Sequence, residues 1–523
     1  TQEYPKDASQ CGREELAAIS RNIKHMKKRK DTVKSNLVTF EDDIREALGL
    51  LDVEQYYLPY NFDTRSRIYH LSKFGHHRHD PIRGMVQFKN GSPVTKDNVH
   101  HLKYKAANTW GNAASSTDDR KTDKLPMHER WAWADDNMEL LLLCGEDFTD
   151  PRAFAHWSKA ASAHQHLAAC RELYNYHCFG EGYICRLPID YDGTNSGLQH
   201  YGGLLLSEQD GEKVNLVPKD APEDIYQYVA DRSTALAEAD ADGDDEEKAE
   251  YARLWLKFGI TRGVVKRNTM VFPYNSNARG MGDQVYEDTM RKINDDHLVK
   301  GTPHDFIDEK TAFKCARYLG SLNMRAIQQV IEAADVGLSF LKKLCKIMYD
   351  NGKHMTWITE IGFPVYMHYV VDVRDRIESP FYNQEINEVI PRENFKVNLT
   401  KPTTEIDKRQ SRNGIAPCFI HSLDATHLMM TANKCRQYDV QNLLVVHDSF
   451  ATDIGSVDIM NECIRAAFIE LYRDRDHFED LLERCTLELM SIGVDVETID
   501  WPEVPKQGTL DLMRIMDSLY AFS

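Results

Sequence analysis

Between Glu14 and Leu51 apolar residues recur every three to four positions, the period of an amphipathic helix. A run of cations, Arg21, Lys24, Lys27, Lys28, Arg29, Lys30 and Lys34, interrupts that stripe. From Tyr56 to Ile68 the pattern turns extended and aromatic. Val94 to Arg186 reads as mostly helical again, with Trp110, Trp131, Trp133 and Trp157 expected in the core. An apolar patch from Tyr183 to Pro188 leads into Ile189-Asp190-Tyr191-Asp192-Gly193, which reads as a strand. Val370 to Thr404 alternates as two strands around a turn-rich middle, a projecting hairpin. Leu443 to Ile454 predicts a tighter one, with apolar residues entering a His447-Asp448 turn and Ser449-Phe450-Ala451-Thr452 leaving it.

The period therefore predicts an α+β, mostly helical chain in which two strand ends carry Asp192 and Asp448. Carboxylates fixed at strand ends can hold two magnesium ions, and Gly193 lets the backbone approach a metal and offer its carbonyl. Asp190, on the same face two residues earlier, is an alternative to Asp192. Between the two strands lies Arg262 to Tyr274, where Arg262, Lys266, Met270 and Tyr274 follow one another at four-residue steps and line one helix face. Cations on such a stripe neutralise the β and γ phosphates of a triphosphate. The null alternatives are a turn-capping aspartate and an exposed basic helix face. Two separated carboxylates flanking a cationic helix favour nucleotidyl transfer over both.

At 523 residues the chain is long enough for several compact units. Its 42% hydrophobic and 28% charged residues are ordinary for a globular protein, and no apolar run reaches the length of a membrane span. The net charge of −18 argues against a general polyanion binder, but a single basic channel suffices for nucleic acid. Eleven cysteines without a Cys-x-x-Cys pair fit free thiols in a reducing compartment. Glu238 to Asp244 approaches a calcium-loop pattern but lacks the closing Glu, which favours a solvated loop. The His76-His77-Arg78-His79-Asp80 cluster lacks helical metal-ligand spacing and reads as a loop after Gly75.

Taken in order, several segments resemble the single-subunit DNA-dependent RNA polymerases of bacteriophages and mitochondria, the phage branch most closely. They are Leu58 to Tyr69, Asp192 to His200, Thr261 to Tyr274, Trp357-Ile358-Thr359, Gly362 to Val365, Gly414 to Pro417 through His421-Ser422, His447 to Phe450, and Tyr520 to Ser523. The resemblance runs from about Pro59 to the last residue. It implies a right-hand fold: a partial thumb over residues 1–58, a first palm part over 59–208, fingers over 209–421 with the nucleotide-binding helix 261–274 and the specificity-type hairpin 370–404, and a second palm part with the carboxy-terminal segment over 422–523. It implies that Asp192, Gly193 and Asp448 hold two Mg2+ ions. Arg262, Lys266 and Met270 are assigned to the incoming nucleotide, Lys266 also as general acid, Tyr274 and His421 to the ribose, and Lys103 to a phosphate. Arg65, Arg67 and Tyr69 are assigned to template and hybrid, Arg374 and Arg376, with Arg392 and Lys396, to DNA.

Two departures flank Tyr274: Pro273 should end the helix, and Asn275 stands where the family pattern has glycine. The resemblance also implies DNA template, RNA product and nucleoside triphosphates as partners, and the cytoplasm of an infected bacterium as location. Only 58 residues precede Pro59, where family members carry some hundreds. The expectation is either a catalytic subunit of a split polymerase, whose amino-terminal part is a separate polypeptide, or a fragment, with a DNA-opening or single-strand-binding factor as a further partner. The rival readings are a DNA polymerase of the same architecture, which would normally place a carboxylate where Ser449 stands, and a non-catalytic nucleic-acid-binding subunit.

Overall fold

The computed structural model describes residues 12–293, 306, 309–383 and 388–523. Helices dominate, and the described strands pair in small antiparallel sheets. This is the α+β, mostly helical class that the periodicity predicts. The sheet that matters has three strands, in the order Leu444–Val446, Ser449–Thr452, Ile189–Asp192. Its register places Ser449 opposite Asp192, Phe450 opposite Tyr191 and Ala451 opposite Asp190. Alternation sends Ile189 and Tyr191 into the core beside the fully buried Phe450, so Asp190 and Asp192 share the opposite face. A slip of one residue would drive both carboxylates into apolar packing.

His447 and Asp448 form the two-residue turn of this sheet, and His447 takes a left-handed backbone with φ 56°. After Gly193, Asn195 caps the helix Ser196–Leu204 by accepting a bond from Leu198 N. That helix is small on the faces it packs with. A Cβ on Gly197 would stand 2.8 Å from the Tyr274 hydroxyl, and one on Gly203 2.6 Å from the Tyr472 ring. The two glycines therefore set how closely the fingers and the rear helix Val457–Tyr472 approach the strand end.

The cation helix runs Arg262–Val271, and Phe272–Tyr274 then tightens to a 3-10 turn with Pro273 in it. Pro273 ends the α-helix as expected, and Asn275 takes the left-handed conformation, φ 65°, that the family glycine would supply. A 30-residue helix, Lys408–Gln437, carries His421 and Asp424 one turn apart. It runs unbroken across positions 421 and 422, where the sequence division into fingers and second palm part was drawn. The calcium-like stretch is a short turn between the helices Ile225–Ala241 and Glu246–Phe258, where Asp245 accepts from Lys248 N as the cap of the second helix.

The expected hairpin is present as Val370–Asn383 paired with Glu388–Ile406. The long helix Arg13–Gly49 is fastened near its carboxy end, where Arg78 donates to both oxygens of Asp43 at 2.7 and 2.8 Å. There Ala47 and Leu50 pack on a small cluster of Phe74, Ile82 and Val86. Of the four tryptophans expected in the core, Trp133 is buried and the other three pack against it partly exposed. The described cysteines are free thiols, and no described helix is long and apolar enough to cross a membrane.

The strands Tyr60–Phe62 and Ile68–His70 are joined by a turn in which Asp63 accepts from the backbone N–H of both Arg65 and Arg67. Ser66 sits in this turn at φ 66°, fully buried, with its hydroxyl unpartnered among the described residues. A left-handed backbone costs an L-residue roughly 1–2 kcal/mol, and an unsatisfied buried hydroxyl adds to that. Ser66→Gly is accordingly expected to stabilise the chain by about 1 kcal/mol after the added entropy of glycine in the unfolded state. Chemical denaturation should show a higher midpoint at unchanged slope; a lower midpoint would contradict the strain.

Candidate active site

One cleft, about 460 Å3 in volume, is lined by Arg67, Asp192, Gly193, Arg262, Lys266, Met270, Tyr274, His421, His447 and Asp448, together with Lys124, Arg130, Asp224, Tyr226 and others. Residues from every part of the chain thus meet in one place. A roomier hollow of about 690 Å3 beside Lys434 and Arg475 holds none of them, so chemistry rather than size marks the site.

Four aspartates surround the sheet, and their environments divide them in two. Asp190 receives Lys105 Nζ and, at 3.0 Å, Arg83 Nη2. Burial alone would raise its pKa, but these two cations outweigh it and hold the carboxyl well below its usual range. Asp424 accepts from Arg67 Nε at 3.0 Å and faces His200 Nε2 at 3.7 Å. His200 and Arg67 likewise overcome burial and keep it ionised. Asp192 and Asp448 have no such partner within ion-pair distance among the described residues. Asp192 is reached by solvent from the cleft and enclosed by protein on its other sides. Its pKa is raised by that enclosure and then by the charges of Asp448 and Asp190. Asp448 is raised by burial and by Asp424.

The strand end and the turn that carry these two carboxylates meet: Gly193 N donates to the backbone carbonyl of Asp448 at 3.2 Å, and a Cβ on Gly193 would lie 3.8 Å from the Asp448 Cβ. Two uncompensated carboxylates, with a glycine between them leaving room, are the oxygen donors that a hard divalent cation takes. Asp190, the sequence alternative, is already neutralised by Lys105 and Arg83 and does not line the cleft.

Opposite the carboxylates stands the cation helix. Arg262 pairs with Asp224 and lies 5.0 Å above the Tyr226 ring. Lys266 Nζ lies 5.9 Å from the same ring and has no ion-pair partner among the described residues. Burial, then Arg262 and Lys124, lower its pKa. Tyr274 packs on His421 with ring centroids 4.6 Å apart.

His421 Nδ1 lies 2.9 Å from Arg65 Nη1. Arginine can only donate, so Nδ1 accepts and the ring proton sits on Nε2. Burial and the charges of Arg67 and Arg65 push His421 down to about 3, which keeps the ring neutral. Arg65 also binds Asp63 and, at 3.1 Å, the Tyr69 hydroxyl, while Tyr69 meets His447 edge-on at 5.1 Å. Arg65 and Tyr69 thus adjoin the cleft without lining it, in contact with His421 and His447.

Lys103 is not brought to the cleft: its ammonium pairs with Asp135 at 2.6 Å. Besides Lys266, the cleft is lined by Lys124, which sequence reasoning missed, along with Arg130. Lys124 sits in a short polar turn without periodicity to flag it. Lys105, also missed, carried a legible sign, a cation on the same face of the helix His100–Trp110 as Leu102 and Thr109. Arg374 and Arg376 are exposed on the hairpin strand, away from the cleft, and the side chains of Arg392 and Lys396 lie outside the described residues.

The family model for DNA-dependent RNA polymerase matches residues 92–498, most of the chain and both carboxylate strands. The chain belongs to that family. T7 RNA polymerase of Escherichia phage T7 is 28% identical over 95% of this chain and 56% of its own length. The DNA-directed RNA polymerase of Enterobacteria phage K11 is 28% identical over 99% of the chain and 56% of its own length. The mitochondrial DNA-directed RNA polymerase 1 of Arabidopsis thaliana is 29% identical over 91% and 45%. The chain thus spans about half the length of the curated relatives it matches. Within this RNA polymerase family member, Asp192, Lys266, Tyr274 and Asp448 all fall inside the matched span.

Raised carboxyls bind protons more tightly in the folded state than in the unfolded chain, so the stability they give is full below about pH 4 and is lost as pH rises through the folded value. At neutral pH without divalent cation, Asp192 and Asp448 should therefore oppose folding. Asp448→Asn is expected to raise the thermal midpoint of the metal-free protein at pH 7.5 by about a degree or two and to leave it unchanged near pH 4. Calorimetry in chelator checks both; a midpoint lowered at pH 7.5 would mean that Asp448 is compensated after all.

Proposed function

We propose that this chain is the catalytic portion of a DNA-directed RNA polymerase that joins ribonucleoside triphosphates on a DNA template. The observation that carries this reading is the pairing of two uncompensated carboxylates with a cationic helix across one cleft, in a chain of this family. Asp192, the Gly193 carbonyl and Asp448 would hold two magnesium ions. Magnesium, once bound, supplies charge to the attacking 3′ oxygen and to the departing pyrophosphate oxygen.

The chain's own residues do the rest. Arg262, Lys266 and Lys124 bind the β and γ phosphates, and Arg262 is held in place by Asp224 and Tyr226. As the 3′ oxygen bonds to the α-phosphorus, the bond to pyrophosphate breaks. Lys266, with its lowered pKa, delivers a proton to that leaving group. Met270 gives the cleft an apolar surface beneath the nucleotide. Tyr274 and the Nε2–H of His421 meet the sugar and read its 2′ hydroxyl. Arg67 contacts template or hybrid from its seat on Asp424, with Arg65 and Tyr69 bracing the same wall.

The parts then take the names of a right hand: residues 1–58 partial thumb, 59–208 and 422–523 palm, 209–421 fingers. The hairpin 370–404, with Arg374 and Arg376 exposed, reads promoter DNA. A DNA-opening or single-strand-binding factor assists. The reaction takes place in the cytoplasm of an infected bacterium, as the phage relatives suggest.

Extension of a primer on a single-stranded template tests this reading. Ribonucleotides should be incorporated in preference to deoxyribonucleotides, and Asp448→Asn should lower the rate by about a thousandfold, since charge stabilisation by such a site amounts to several kcal/mol. Tyr274→Phe should relax sugar selection by about tenfold, the value of one hydrogen bond. No ribonucleotide incorporation, or a rate untouched by Asp448→Asn, would refute the proposal.

A further inference from the structure

The reverse side of the catalytic strand carries a second cluster of metal-type donors. His100 and His101 open the helix His100–Trp110, and Asp458 lies in the first turn of the helix Val457–Tyr472. One donor atom from each lies within 4.8 Å of the others. His101 Nε2 is 3.3 Å from Asp458 Oδ1, about the edge of a tetrahedron whose metal bonds are roughly 2.0–2.1 Å. We propose that these three residues bind a zinc-type divalent transition-metal ion.

A second observation concerns the burial of His101. It is 3% exposed, and its Nε2 faces Asp458 at 3.3 Å without hydrogen-bonding geometry and has no other partner among the described residues. A polar atom orphaned in this way is costly to a fold unless something else occupies it. Its other nitrogen, Nδ1, lies 3.3 Å from the Tyr191 hydroxyl. With Nδ1–H donating to Tyr191, the lone pair of Nε2 points toward Asp458, the arrangement by which outer partners orient metal-binding histidines. His100 is held beside it by Trp131, with ring centroids 5.1 Å apart.

Two imidazoles and one carboxylate favour zinc, nickel or copper over magnesium, which prefers an all-oxygen shell. Asp458 has a side chain 78% exposed, which gives the ion an entry path and leaves its remaining positions to water. Both helices begin at this point, and their partial positive ends oppose a cation. The carboxylate is therefore indispensable. The site is distinct from the cleft, because Tyr191 and Asp192 point to opposite faces of their strand. An ion here would pin two helices to the strand that presents Asp192.

The test is titration of the whole chain with cobalt(II), displaced afterwards by zinc, with magnesium present throughout to hold the cleft carboxylates. The wild type should develop visible ligand-field bands that zinc abolishes, and zinc should raise its thermal midpoint. Asp458→Asn, an exposed change that leaves the fold intact, and His100→Gln should each weaken binding by more than about tenfold, the lower bound seen for disturbed metal shells. Identical cobalt spectra and affinities in wild type and Asp458→Asn would overturn the proposal, as would a wild type that develops no bands.

Discussion

Four aspartates stand around the Ile189–Asp192 strand and the His447-Asp448 turn, and the cations of the fold are shared among them unequally. Lys105 and Arg83 are committed to Asp190; Arg67 is committed to Asp424, which also has the His200 ring beside it. Among the described residues, Asp192 and Asp448 receive none. Like charges held this close in a partly dry setting repel, and a fold keeps them apart from neutralising groups only by building each neighbouring pair separately. The rest of the site follows from that division. The outer pairs fix the strand and the helix Lys408–Gln437, and the inner pair is left with its affinity unspent.

The backbone does the work that side-chain charges would otherwise undo. Register pairs Ser449 with Asp192, a left-handed His447 brings Asp448 round the turn, and Gly193 keeps the space between the two open. Gly197 admits the Tyr274 hydroxyl from the fingers side. At Gly197 in particular an added Cβ would crowd the Tyr274 hydroxyl at 2.8 Å and push it aside, and electrostatic sites lose much of their effect over small displacements.

Much of this was legible in the chain before folding. Period-two alternation located both carboxylate strands and the long hairpin, and four-residue spacing located Arg262, Lys266, Met270 and Tyr274. The Pro273 stop followed from local backbone rules, and the left-handed Asn275 from those rules together with the glycine of the family pattern. What escaped notice depended on contacts between distant segments. Nothing local shows that Asp135 engages Lys103 or that Lys124 faces the cleft. That Arg65 reaches His421, and Tyr69 the ring of His447, is also a tertiary fact that no local pattern carries. The roles of Asp424 and Lys105 are likewise tertiary, since an ion pair across 357 residues, as between Arg67 and Asp424, leaves no periodic trace.

Arg65 fixes more than the position of His421. By occupying Nδ1 with a donor, and by helping to keep the ring uncharged, it gives the imidazole a single polarity: an N–H on one side and never a second. Whatever group enters beside Tyr274 meets a donor that does not change character with acidity. The carboxylates across the cleft do change. In the function proposed above, rate and choice of substrate would be governed by groups with separate titrations, so that a shift in the acidity of the surroundings would slow the reaction without altering what is selected.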